Sequence, residues 1–271
     1  MPESADLERR FGGLARLYGD EGAGRIRLAH VVVIGIGGVG SWAAEALARS
    51  GVARLTLIDL DHIAESNINR QIHALSSTLG QSKVEAMRER IAHINPECVV
   101  RCVEEFVDAV NWPDIAQFET AAESFSVLDA CDQVKAKTAM AAWALQNSVN
   151  FITVGAAGGK RHAHKVEIDD LSLATHDPLL AQLRYRLRKE HGGARTAKMD
   201  VTCVFSRESV KQPASTPHTT SIDAPLTDSS LNCHGYGSVV SVTATFGICA
   251  AGWLLDKIAS PAFARRPKIT L

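Results

Sequence analysis

None of the six cysteines, Cys98, Cys102, Cys131, Cys203, Cys233 and Cys249, forms a C-x-x-C pair, so the spacing of a structural zinc site is missing. No apolar signal segment stands near the start of the chain, which with scattered free thiols points to a reducing cytoplasm. Charge of one sign is lacking as well: 29 Lys and Arg balance 30 Asp and Glu, for a formal net charge of −1. Any RNA contact must therefore come from a local basic patch. The longest apolar run, residues 239–255, is interrupted by Ser241, Thr243, Thr245 and two glycines and ends at Asp256 and Lys257. It reads as a buried core helix, with membrane association through residues 238–257 as the alternative. No internal repeat is visible. The 271 residues, 46% hydrophobic and 22% charged, have the composition of a soluble globular protein with one main domain and appendages.

The most informative segment is V-V-V-I-G-I-G-G-V-G at residues 31–40, an apolar strand running into a glycine turn, followed by a helical pattern at 41–50. Gly35, Gly37 and Gly40 satisfy G-x-G-x-x-G, with Gly38 inside the turn. The first glycine allows the sharp turn, the second lets backbone approach a phosphate, and the third permits close helix–strand packing. A nucleotide on a helix N-terminus is the expectation.

Strand patterns at 31–34, 55–58, 99–103, 127–130 and 151–154 alternate with helical patterns at 41–50, 82–95, 111–118 and 134–147. That alternation predicts an α/β fold, a doubly wound, Rossmann-like, mainly parallel sheet. Three regions follow: a helical arm over 1–30, an ATP-binding domain over 31–160 and a C-terminal α/β elaboration over 161–271. The elaboration holds a strand pattern at 164–168, a helix at 178–191, a strand at 201–205 and the apolar helix. Between the last two, residues 206–232 carry few large apolar side chains, which predicts a mobile loop.

Candidate site residues cluster after the second and fourth strands. In L-I-D-L-D, Asp59 and Asp61 lie about twenty residues past the glycine turn, where a carboxylate accepts hydrogen bonds from a ribose. A dehydrogenase would share that carboxylate. It would leave Asn67 and Arg70 of N-I-N-R-Q and Lys83 of G-Q-S-K without a task, whereas a triphosphate would give Arg70 and Lys83 one. Lys83 opens its helix, where a cation opposes the macrodipole unless a polyanion lies nearby; the alternative is a pair with a surface carboxylate. Asp132 of L-D-A-C-D falls at the carboxyl edge of the sheet as a magnesium ligand, or else caps the following helix.

The five motifs, in this order, resemble those of the ubiquitin-activating-enzyme-like adenylating superfamily. The resemblance implies that Asp59 holds the ribose, that Asn67, Arg70 and Lys83 hold the phosphates of ATP, and that Asp132 holds Mg²⁺. It also implies a homodimer in which Arg16 reaches the partner's ATP. Further stretches at 10–19, 37–51, 69–75, 90–98, 200–206 and 241–247 closely resemble the bacterial tRNA threonylcarbamoyladenosine dehydratase family over nearly the whole chain. Residues 162–165 and 206–232 look least like it. The implied activity is ATP-dependent cyclisation of the threonylcarbamoyl group on the adenosine beside the tRNA anticodon, with a cysteine-desulfurase system as a candidate partner.

The competing reading is an adenylating activator of a small ubiquitin-like sulfur carrier, with Cys203 and Cys233 as candidate thiols, although buried free cysteines are common. For tRNA, the basic helix at 180–189 offers Arg184, Arg188 and Lys189, followed by Arg195 and Lys198; the tail Arg265, Arg266 and Lys268 is the alternative.

Overall fold

The computed structural model describes residues 5–117, 125–210 and 236–261. Two helices, α1 (Leu7–Phe11) and α2 (Gly13–Arg27), the second broken at Gly19, precede the sheet. Its strands are β1 (His30–Ile34), β2 (Arg54–Ile58), β3 (Val99–Val103), β4 (Phe125–Asp129), β5 (Asn150–Val154), β6 (Val166–Asp170) and β7 (Thr202–Ser206). The remaining helices are α3 (Gly40–Arg49), α4 (Lys83–Ile94), α5 (Val134–Asn147), α6 (Pro178–Glu190) and α7 (Val240–Ala259).

The strand order is β3-β2-β1-β4-β5-β7-β6, and only the β6 and β7 pair is antiparallel. Alternate residues of β1 enter different cores: Val31 and Val33 pack with α3, α4 and α7 side chains, Val32 and Ile34 with those of α5 and α6. Both faces are therefore covered, which is why β1, β4 and β5 are buried at every position, polar Ser126, Asp129, Asn150 and Thr153 included. Successive connections leave β1 and β4 toward opposite sides, so a crevice opens at their carboxyl ends.

The apolar helix α7 runs from Val240 rather than 238 and ends at Ala259. It is long and apolar enough to cross a membrane, but Val242, Phe246, Ala250, Leu254 and Ile258, one every four residues, are wholly buried in the first core. Each such Val, Leu, Ile or Phe contributes roughly 1.5–3 kcal/mol by leaving water. The stripe faces protein.

One predicted helix is not there. Residues 111–118 give only a three-residue 3₁₀ turn, Asp114–Ala116, because Pro113 has no N–H to donate and Gln117 turns left-handed at φ 41°. Phe118 lies outside the described residues. The strand expected at 164–168 begins two residues later as β6, after a 3₁₀ turn at Ala163–Lys165. Of the loop expected at 206–232, Ser206 closes β7, and residues 211–232 lie outside the described residues.

Candidate active site

The crevice at the carboxyl ends of β1 and β4 is a cleft of about 600 Å³. Gly35 turns the chain with φ +83°, and a Cβ there would stand 2.8 Å from the Cys131 nitrogen. Gly40 opens α3 so close beneath the turn that a Cβ would fall 1.8 Å from the Gly35 carbonyl oxygen. Side chains are excluded at both positions. Above Gly37 the space is open, the nearest atom to such a Cβ being Gln71 Nε2 at 4.0 Å. The residue before α3, Val39, provides no side-chain cap, and in the first turn Ser41 N donates to Gly37 O at 3.1 Å, so the helix start faces the cleft without a capping side chain in the way. Gly35, Gly37, Gly38 and Val39 line the cleft; Gly40 does not and serves the packing.

Asp59 closes β2 and stitches the turn in place. Its Oδ2 accepts from Ile36 N at 2.6 Å and its Oδ1 from Asp61 N at 2.9 Å. Burial raises its pKa above the usual carboxylate value, against the lowering pull of Lys83 and of the two N–H groups. Lys83, almost wholly buried, starts α4 and donates to Asp61 Oδ2 at 2.6 Å. The pairing alternative is thus the one seen, yet Asp61 remains 56% exposed and can swing away. Arg70 follows a 3₁₀ turn at Glu65–Asn67 and lines the cleft against Gly38, its Nη1 donating to Ser66 O at 2.7 Å and Asn69 Oδ1 at 3.0 Å. Its backbone is fixed by the Trp42 indole, which donates to Arg70 O at 3.0 Å. Buried Asn67 uses Oδ1 to accept from Ala64 N at 3.1 Å and shapes that turn.

Asp132 lines the other wall, half-buried, with no side-chain hydrogen bond or ion pair among the described residues. It does not cap α5, whose capping position is Gln133. Below it lies a group that sequence reading missed. Asp129 and Lys137 are both fully buried, Lys137 Nζ donating to Asp129 Oδ2 at 3.0 Å, Thr153 Oγ1 at 3.1 Å and Val154 O at 2.8 Å. All three ammonium protons are satisfied. Burial works against the charged lysine, but Asp129 and its neighbours outweigh it and the pKa is raised. Asp129 Oδ1 also accepts from Cys131 N at 3.1 Å, so this pair sets the loop that carries Asp132.

The far wall comes from the second half of the chain: Gly155, Ala156, Ala157 and Gly158 after β5, with Tyr236, Gly237, Ser238 and Thr243 at the head of α7. Asp177 caps α6 through Leu180 N at 3.0 Å and also accepts from Ala156 N at 2.9 Å, which ties that helix to the wall. Burial raises its pKa. Lys160, fully buried, donates to the carbonyls of His176, Ser206 and Glu208, each at 3.1 Å.

Other candidates lie elsewhere. Arg16 is exposed on α2 and does not line its own chain's cleft. Cys203 is fully buried in β7, its thiol donating to Asp169 O at 3.4 Å and its pKa raised by burial, so it is no accessible nucleophile. Cys233 and the tail Arg265, Arg266 and Lys268 lie outside the described residues. On α6 the basic residues are engaged: Arg184 donates to Leu171 O and Ala174 O, Arg188 to Ala194 O and Arg195 O, and Lys189 lies over the Tyr185 ring. They stitch loops to the helix.

A Rossmann-like sheet with a glycine turn, a carboxylate after β2, an arginine, a lysine and a free aspartate gathered at its switch point defines a nucleotide-using α/β enzyme. The ThiF family matches residues 10–264, and the chain belongs to it. A tRNA threonylcarbamoyladenosine dehydratase of Haemophilus influenzae is 43% identical over 95% of this chain and 96% of its own length. That of Escherichia coli (strain K12) is 42% identical over 94% of this chain and 95% of its own. The crystal structure of the E. coli dehydratase in complex with ATP superposes with a TM-score of 0.82 at 39% identity, covering 96% of this chain and 98% of that one.

Proposed function

We propose that this protein is an ATP-dependent tRNA threonylcarbamoyladenosine dehydratase, converting N6-threonylcarbamoyladenosine in tRNA to its cyclic form. The observation that carries the reading is likeness over essentially the whole chain to relatives of that activity, one of them crystallised with ATP. The cleft supports it: open backbone at Gly37, a start of α3 without a side-chain cap, and Arg70 and Lys83 in the lining suit a triphosphate. The substrate carboxylate has a poor leaving group. ATP converts it to a mixed anhydride, and attack from within the same side chain closes the ring and expels the activated oxygen. The nucleophile is already tethered, so proximity supplies much of the rate.

In this reading Arg70 and Lys83 bind phosphate oxygens and stabilise the charge that develops there, while Asp59 orients the ribose. Lys83 would exchange Asp61 for the nucleotide. The unpartnered Asp132 carboxylate fits Mg²⁺, which takes one or two protein carboxylates and completes its shell with phosphate and water. When bound, the ion supplies positive charge against the phosphates. Incubation with ATP and tRNA carrying the modified adenosine, followed by nucleoside mass spectrometry, should show loss of one water. Modified nucleoside left unchanged with ATP present would overturn the reading.

We further infer a cytoplasmic homodimer with composite sites, in which Arg16, exposed on α2, enters the partner's cleft. Mixing inactive Arg16→Ala and Lys83→Ala protomers should restore part of the activity, and a monomer by light scattering would count against it. A cysteine-desulfurase system is the candidate accessory partner.

A further inference from the structure

The basic run K-R-H-A-H-K spans residues 160–165, none of which lines the cleft. It leaves the cleft directly: Gly155 to Gly158 form the far wall, and Gly159 N donates to Gly237 O at 2.8 Å, joining the run to the other segment of that wall. Its first lysine is sunk as an anchor on three carbonyls. The next two backbone N–H groups, of Arg161 and His162, both donate to Glu208 Oε2, at 2.9 and 2.8 Å, and Lys165 O accepts from Arg207 N at 3.2 Å.

That rigid seat contrasts with the side chains above it. Arg161, His164 and Lys165 are exposed, and among the described residues they make no side-chain hydrogen bond or ion pair. Of the adjacent acids, Glu167 pairs with Arg207 at 2.7 Å, and Glu208 accepts both N–H groups on Oε2 while its buried Oε1 lies 3.8 Å from His162 Nε2. On α6, by contrast, Arg184 and Arg188 are spent on loop carbonyls. We propose that residues 161–165 form the strip on which the phosphate backbone of the tRNA docks beside the cleft. Arg161 and Lys165, four residues apart, are at most about 14 Å from each other along the chain, a reach suited to neighbouring phosphates. Such contacts fix register and orientation without reading bases.

The inference rests on the proposed function, and two measurements separate their fates. Filter binding of the full chain to tRNA, with and without the modified adenosine, is measured across salt for the parent, for R161Q/H164Q/K165Q, and for the single exposed change K165E. The triple variant should lower the slope of log affinity against log salt by about two and weaken binding about tenfold at low salt, for both tRNAs. K165E should move both quantities the same way. ATP affinity, melting temperature and kcat should stay at parental values while KM for tRNA rises. Parental slope and affinity in both variants would overturn the docking strip. So would a lost slope appearing in R184Q/R188Q instead, whose expected effect is a lower melting temperature alone. If the parent binds tRNA with this slope yet never removes water from it, the activity reading fails while the strip stands.

Discussion

The cleft has two lysine–aspartate pairs, and they are built to opposite ends. On the floor, Lys137 and Asp129 are wholly enclosed, every proton of the ammonium has an acceptor, and Thr153 donates to the same carboxylate oxygen at 2.6 Å. On the wall, Lys83 holds a single carboxylate oxygen of Asp61, whose other side faces water. A charge surrounded by fixed partners cannot be lent to a substrate, whereas one with a single exchangeable partner can. The floor is therefore architecture, and the wall alone has a cation free to change partner, although both are the same two residue types at similar distances.

The largest effect should come from the floor. Lys137→Met leaves the Asp129 carboxylate buried and unpaired, and should cost about 3–5 kcal/mol of stability, read from urea unfolding. The double change Lys137→Met with Asp129→Leu should recover most of that loss; if it does not, the pair is not what the single change removed. Next comes the wall: Lys83→Ala should lower kcat by about 10²–10³ with a melting temperature close to parental. Equal losses of stability at Lys83 and Lys137 would erase the distinction.

The smallest effect is pH-dependent and lies beside the wall. His73 is buried with both ring nitrogens lacking hydrogen-bond partners among the described residues, and burial, with Lys83 and Arg90 nearby, lowers its pKa from 6.5 to about 4. The folded state thus favours the neutral ring. Its contribution is fully present above pH 6.5 and is lost as the pH falls toward 4, since the unfolded chain takes up the proton first. From pH 7 to pH 5 the loss should be about 2 kcal/mol, and His73→Gln should flatten that part of the stability curve. A parental slope in the variant would show that another group titrates there.

What could be read from sequence was whatever lies close along the chain. The glycine turn, Asp59 and Asp132 each sit within a few residues of a strand end, so the strand pattern assigned them to one sheet edge, whereas Arg70 and Lys83, well past the end of β2, were brought to it by their motifs. Lys137 was invisible because its partners come from two strands. A signal existed nonetheless: it occupies the buried face of α5 with Met140, Ala141 and Ala144, where a lysine must have a charge to meet. Lys160 offered no such sign, since its acceptors are carbonyls from two distant segments, the loop before α6 and the end of β7. The contacts of the basic face of α6 were hidden for the same reason. Helical spacing shows where Arg184 and Arg188 point, and says nothing about the loop oxygens waiting there.

The helix α7 begins where Thr243 touches the cleft and ends where Arg25 donates to Ala259 O at 3.0 Å and Tyr18 to Asp256 Oδ1 at 3.1 Å. Twenty residues of helix span about 30 Å, so one rod runs from the nucleotide pocket to the arm that carries Arg16. Helix α7 thus acts as a buckle that fastens α2. A chain cut before residue 240 would lose more than a core stripe, because the arm's footing would go with it, and a tilt of the rod at its cleft end would be felt at the far end by the arm.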